Sequence, residues 1–255
     1  MVSKNLVKYI KSLELKKYRS RERAFVAEGP KVVDDLLTAF SAKIIVTTEE
    51  WLAKERDVGD AQVYLTSGDE LRKVSFLQHP QQVTAVFEIP NRKNILSAEV
   101  AETELVLALD NIQDPGNLGT IIRIADWFGI DNIVCNTGTA DAFSPKVVQA
   151  TMGSLARVHI YETNLYEWLS DLSQQVTVYG TLLDGKNIYE EPLDSKGVII
   201  MGNEGNGISM EVREKVNHKL FIPNYSAKES TAESLNVAIA TAITCAEFRR
   251  RMAYQ

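Results

Sequence analysis

Val198-Ile199-Ile200-Met201-Gly202-Asn203-Glu204-Gly205-Asn206-Gly207 is the stretch on which the fold of this 255-residue chain turns. Its first four residues are apolar without alternation, the pattern of a strand buried on both faces of a parallel sheet. Three glycines then interrupt the run, which lets backbone approach a ligand closely and present its N–H groups. The spacing G-x-x-G-x-G is not the dinucleotide fingerprint, and no acidic residue stands about 20 positions on to take a ribose. Nor is it a P-loop, because no Gly-Lys-Ser/Thr follows. An ordinary loop is the competing reading. Glu204, set between glycines where a turn needs no carboxylate, favours a ligand.

Further strands are predicted at Leu105–Leu109, Asn132–Cys135, Val176–Thr181 and Lys219–Ile222. Helices are predicted between them at Leu118–Phe128, Pro145–Met152, Leu165–Gln174, Ser209–Val216 and Ala232–Arg251. Strand and helix in alternation predict a doubly wound α/β domain over residues 103–255, with ligand at the carboxyl ends of its strands. Pro90 to Ala101 is polar and broken by Pro and Asn, so 91–102 reads as a linker. Residues 1–90 read as a smaller α/β domain. It has a helix over Ser3–Leu13, a basic turn over Lys16–Arg23 and short strands at Phe25–Ala27, Lys43–Thr47, Gln62–Leu65 and Val83–Glu88. Helices are expected at Lys31–Ala39, Glu49–Lys54 and Ser67–Val74, the last opened by a Ser67-x-x-Glu70 capping box.

Composition excludes several classes. At 45% hydrophobic and 24% charged residues the chain is an ordinary cored protein. No apolar run approaches the roughly 18 residues that would span a bilayer, so no membrane partner is expected. The N-terminus carries no apolar signal segment. Cys135 and Cys245 form no framework, which fits a reducing cytoplasmic setting. His79, His159 and His218 lack ligand spacing, so no metal is expected. The net charge of −6 hides an asymmetry. Lys4, Lys8, Lys11, Lys16, Lys17, Arg19, Arg21 and Arg23 face only Glu14 and Glu22 in the first 23 residues. Such an arm would steer phosphates, although a solvated helix face has the same composition.

Two further segments also begin where a strand ends. Asp110-Asn111-Ile112-Gln113-Asp114-Pro115-Gly116-Asn117-Leu118-Gly119 makes a tight polar loop, with Asn117 placed as helix N-cap and Arg123 one to two turns inside. A capped helix with a surface arginine would look the same. The other runs from Ile222-Pro223-Asn224 to Ser234-Leu235-Asn236-Val237. There Ser234 and Asn236 enter an apolar stretch where buried polar groups need partners, whether backbone or ligand.

Taken together and in this order, the three segments resemble the motifs of the SpoU family of RNA ribose 2'-O-methyltransferases. The matching residues are Asn117-Leu118-Gly119 with Arg123, Gly202 to Gly207, and Ile222-Pro223 with Ser234-Leu235-Asn236-Val237. Ser144-Pro145-Lys146 and Met152-Gly153-Ser154 add to the likeness, which covers about residues 103–250. Residues 25–37, which open Phe25-Val26-Ala27-Glu28-Gly29-Pro30 and end Asp35-Leu36-Leu37, resemble the opening of the RNA-binding domain, akin to a ribosomal-protein fold, that precedes many members.

The resemblance implies a catalytic domain tied in a deep trefoil knot, a homodimer, and S-adenosylmethionine as methyl donor. It implies donor contacts from Leu182, Gly202, Ile222 and Leu235, and a catalytic set of Arg123, Asn117, Glu204, Ser234 and Asn236. RNA, most readily ribosomal, is the implied substrate, with Lys16, Lys17, Arg19 and Arg21 as candidate phosphate contacts. An arginine is a poor base, since its pKa exceeds roughly 12. Arg123 is therefore expected to orient the ribose hydroxyl or a phosphate that takes its proton. Two other readings compete: an RNA-binding protein that keeps the fold but not the activity, and a metabolic enzyme with an ordinary nucleotide site. Intact Arg123, Asn117 and Glu204 count against the first, and the missing fingerprint against the second.

Overall fold

The computed structural model describes residues 2–90, 96–226 and 233–253. The chain divides into two compact units, one built from residues 1–92 with 141–157, the other from 93–140 with 158–255.

The first unit begins with α1 (Lys4–Ser12), whose N-terminal amides are capped by Ser3, and α2 (Lys16–Glu22). The basic segment expected as a turn is thus a helix, ended by Arg23 in the left-handed region at φ 46°. There follow β1 (Ala24–Glu28), α3 (Pro30–Leu37), β2 (Ala42–Thr47), α4 (Glu49–Leu52), β3 (Gln62–Leu65), α5 (Gly68–Val74) and β4 (Val83–Glu88). The sheet order is β1-β4-β2-β3, antiparallel except for the β2–β3 pair. Strand alternation sends the two halves of β1 to different cores. Ala24 and Val26 pack with Leu6, Ile10, Leu13, Leu71 and Val74. On the other side Phe25 meets Phe40, Phe87 and Phe143 at ring-centroid distances of 5.3, 5.6 and 5.0 Å. Phe143 arrives with the 141–157 segment, which also carries the helix Pro145–Thr151. The capping box at Ser67 is half made. Ser67 Oγ accepts from the Glu70 amide, while the Glu70 carboxylate accepts from Thr66 Oγ1.

Leu96 and Ala101, in the stretch expected as linker, are buried in the core of the second unit. Ala101 lies in a 3-10 turn over Ala98–Glu102. The elements that follow are β5 (Leu105–Asp110), α6 (Pro115–Trp127), β6 (Asn132–Asn136), α7 (Pro145–Thr151), β7 (His159–Thr163), α8 (Leu165–Ser170), β8 (Val178–Asn187), β9 (Gly197–Gly202), α9 (Met210–Arg213), β10 (His218–Phe221) and α10 (Val237–Ala253). Six strands form a wholly parallel sheet in the order β10-β8-β9-β5-β6-β7. Every residue of β5 and β9 is buried, as the unbroken apolar runs required. Val106, Ala108, Val198 and Ile200 face α8 and α9 through Trp168, Leu169 and Val212. Tyr179 of β8 meets Phe248 of α10 edge-on at 4.8 Å on the opposite face. β7 was not expected. It closes one edge of the sheet and is mostly half-exposed, so it lacks the continuous apolar signal of its neighbours. The knot implied by the resemblance involves the approach to α10, of which residues 227–232 lie outside the described residues.

Candidate functional site

All the candidate segments of the second unit leave the sheet at its carboxyl edge. α6 starts three residues earlier than periodicity predicts. Asp114 is its N-cap, accepting from the Asn117 amide at 2.8 Å, and Pro115 occupies the first turn. Asn117 is therefore not the cap. Its side chain is released to act elsewhere, because a helix end needs only one side-chain acceptor at that position.

Asn117 Nδ2 donates to Glu204 Oε1 at 2.7 Å, and Asn236 Nδ2 donates to Asn117 Oδ1 at 2.9 Å. Three segments distant in sequence thus meet through one amide. Asn236 has a second role, since its Oδ1 accepts from the amides of Ala238 and Ile239 and so caps α10. Ser234 and Asn236 are exposed rather than buried. The reason is that α10 begins at Val237, leaving both residues ahead of the helix and off its apolar face. Ser234 has no hydrogen bond to the other three among the described residues. Arg123 lies farther along α6, exposed, with no hydrogen bond or ion pair among the described residues.

The glycine-rich loop does not present a row of free N–H groups. Asn203 Oδ1 accepts from the amides of Gly205 and Asn206 at 2.9 and 3.0 Å, and Asn203 O accepts from Gly207. Gly202 is required by the loop itself. A Cβ there would stand 2.3 Å from the carbonyl carbon of Gly207 and 2.4 Å from the Ile208 nitrogen. Asn203 and Asp110 were not singled out from sequence. The available signal for Asp110 was a carboxylate ending an otherwise apolar strand.

Of the four expected donor contacts, Gly202 and Ile222 fall at strand ends, Leu182 inside β8 and Leu235 just ahead of α10. Gly202 closes β9, Ile222 follows β10 and Leu182 lies within the long strand β8, just beyond its pairing with β9. Leu182 and Ile222 are half-buried, and Leu235 is 49% exposed. Three apolar side chains and a glycine suit an adenosyl group held by main chain. The Ser209 hydroxyl on the same loop is buried without a partner among the described residues. Cys135 and Cys245 take no part, as burial pushes both thiols up to about 12 and leaves them protonated. No group of three His, Cys, Asp or Glu side chains suited to a metal occurs among the described residues.

In the first unit the basic helix α2 splits by environment. Lys16, Lys17 and Arg21 are exposed, the last two lying over the Tyr18 ring at 4.9 and 5.0 Å. Arg19 is 3% exposed. Its guanidinium donates to Asp141 at 2.5 Å and to the carbonyls of Leu13 and Glu14 at 2.8 and 2.6 Å. A guanidinium so committed cannot also meet a phosphate, which removes Arg19 from the expected RNA contacts.

Residues 104–246 match the SpoU rRNA methylase family, and residues 4–85 match the MRM3-like substrate binding domain. The chain belongs to the SpoU rRNA methylase family. It is 37% identical over 241 residues to the 23S rRNA (guanosine(2553)-2'-O)-methyltransferase RlmP of Bacillus subtilis, covering 93% of each chain. A solved structure from Porphyromonas gingivalis, described as a candidate RNA methyltransferase of the TrmH family, superposes with a TM-score of 0.90 at 42% identity. That match covers 98% of this chain and 99% of the other. An AdoMet-bound rRNA methyltransferase from Sinorhizobium meliloti gives 0.82 at 32% identity, over 99% and 97%. Among the described residues no helix is long and apolar enough to cross a membrane.

Proposed function

We propose that this chain transfers the methyl group of S-adenosylmethionine to a ribose 2'-hydroxyl of ribosomal RNA. The observation that carries the proposal is the hydrogen-bonded set Glu204–Asn117–Asn236, drawn from three motifs to the carboxyl edge of the sheet. The bound donor supplies a methyl group made electrophilic by its sulfonium. Leu182, Gly202, Ile222 and Leu235 would hold it beside that set. Arg123, exposed and unengaged among the described residues, orients the ribose hydroxyl or an adjacent phosphate, which takes the proton. Asn117, Glu204, Ser234 and Asn236 frame the hydroxyl, and much of the acceleration comes from aligning it with the methyl group.

RNA is drawn in by Lys16, Lys17 and Arg21 of the first unit. The working form is a homodimer, because α6 and α10 expose Trp127 (85%) and Ile239 (52%), apolar groups that a second copy would cover. The buried free thiols suit the cytoplasm. The deciding experiment incubates the protein with tritium-labelled S-adenosylmethionine and total RNA, then maps label by nuclease digestion. Label on a 2'-O-methyl ribose of ribosomal RNA is expected. Label on a base, or none, overturns the proposal.

A further inference from the structure

Asp110, at the end of β5, is 0% exposed, yet among the described residues the groups that donate to its carboxylate are all neutral. Its Oδ1 accepts from the side-chain amides of Asn111 at 3.0 Å and Asn136 at 2.8 Å. Its Oδ2 accepts from the backbone amide of Ser209 at 2.7 Å. A carboxylate taken out of water is costly unless its oxygens are hydrogen-bonded, and here both oxygens are. In the sheet Asp110 lies opposite Gly202, where the 203–209 loop begins.

That loop is anchored at both ends to the β5 side. Asn203 Nδ2 donates to the Asn111 carbonyl at 2.8 Å, and Ser209 donates to Asp110. Between the anchors the chain folds back on Gly202 so closely that no Cβ fits. Glu204 projects from this pinned segment to Asn117. We infer that Asp110 is a positioning residue for methyl transfer, its buried carboxylate holding the 203–209 loop so that Glu204 meets Asn117. The inference rests on the proposed place of Glu204 in the catalytic set.

Asp110→Asn keeps the shape but turns one oxygen into a donor, so Ser209 or the two asparagine amides must face an N–H₂ group. Ser209→Pro breaks the same contact from the other side. Ser209 already has φ −59°, a value proline adopts, so the substitution removes the N–H without demanding a new φ. Displacing a reacting group's support by about 1 Å costs about 100-fold in rate. Both variants are expected to lower kcat on ribosomal RNA by up to that factor, and by no more than Glu204→Ala does. KM for RNA and donor Kd by calorimetry should change no more than about threefold, the donor contacts lying outside the loop.

The control is Glu204→Ala, alone and combined with Asp110→Asn. If Asp110 acts through Glu204, the double variant is no slower than Glu204→Ala. Normal kcat in Glu204→Ala would sink the catalytic reading of Glu204 itself. A slow Glu204→Ala beside normal Asp110→Asn and Ser209→Pro would overturn only the role of Asp110, as would losses that multiply in the double variant. If Asp110→Asn fails to fold, Ser209→Pro alone and combined with Glu204→Ala decides by the same criteria.

Discussion

Asn117 Nδ2 donates to Glu204 Oε1 at 2.7 Å across 87 residues of sequence. The same amide accepts from Asn236, so neither flank of the site has its geometry without the other.

Substitutions in this set should therefore be non-additive. Glu204→Ala and Asn117→Ala should each lower kcat by about 10- to 100-fold, while the double variant loses little more than the worse single one. Glu204→Gln keeps a carbonyl that can accept from Asn117 and should retain more activity than Glu204→Ala. Single-turnover methyl transfer measures all four. Fully multiplicative losses would show that the residues do not act as a unit.

Arg123→Ala should leave thermal stability and donor affinity near the parent values, because Arg123 is exposed and engages no partner among the described residues. Methyl transfer should fall by about 100-fold or more. Calorimetry with the donor, melting curves and rate measurements check the three parts separately. A fully active variant would remove Arg123 from the mechanism.

Two kinds of arginine occur on α2, and they should fail differently. Arg19→Ala strands the Asp141 carboxylate and two carbonyls, and should destabilise the protein by about 3 kcal/mol. Charge reversal at Lys16, Lys17 and Arg21 should leave the melting temperature within about 2 °C, since surface changes are worth little. It should flatten the salt dependence of RNA affinity, by roughly one unit of slope for each phosphate no longer neutralised. An unchanged slope would mean these residues only solvate the helix.

Glu28 and Glu247 should give stability opposite pH dependences. Burial pushes the Glu28 carboxyl up, against hydrogen bonds from Ser75, the Phe76 amide and Thr84. Its folded form therefore holds a proton more tightly than the unfolded chain. That contribution is present below about pH 4.5 and is lost as pH rises through the raised value. Hydrogen bonding from Arg250 heads the causes holding Glu247 low, with Arg251 adding a second bond. Its contribution is present above about pH 4.5 and is lost as pH falls through the lowered value. Compared with the parent, Glu28→Gln should gain relative stability as pH rises above about 4.5. Glu247→Gln should be weakest near neutrality, with the difference closing as pH falls through the lowered value. Urea titrations at a series of pH values test both, and flat differences would remove either assignment.

The doubly wound plan was legible because a strand buried on both faces must be apolar throughout, and Val198 to Met201 obeys that wherever the rest of the chain goes. The order of the three motifs was equally local, and it placed Asn117, Glu204 and Asn236 on one edge of the sheet before any contact was known. Edge elements were harder to see. β7 is half-exposed, so its residues carry no burial pattern to read.

Partnership was settled only by the tertiary structure. Arg19 is indistinguishable in sequence from Lys16, Lys17 and Arg21, and it is made structural by Asp141, 122 residues away, together with the carbonyls of Leu13 and Glu14. Asn117 had the composition of a cap, yet Asp114 took that position and left Asn117 free for Glu204. The amides of the glycine loop could have faced a ligand until Asn203 accepted two of them. Asp110 drew no notice because its amide donor from Ser209 comes from 99 residues along the chain. Periodicity reports which face a side chain presents, and that follows from backbone repeat alone. Which donor satisfies which acceptor depends on segments that sequence does not place side by side, and at this site those pairings set the geometry.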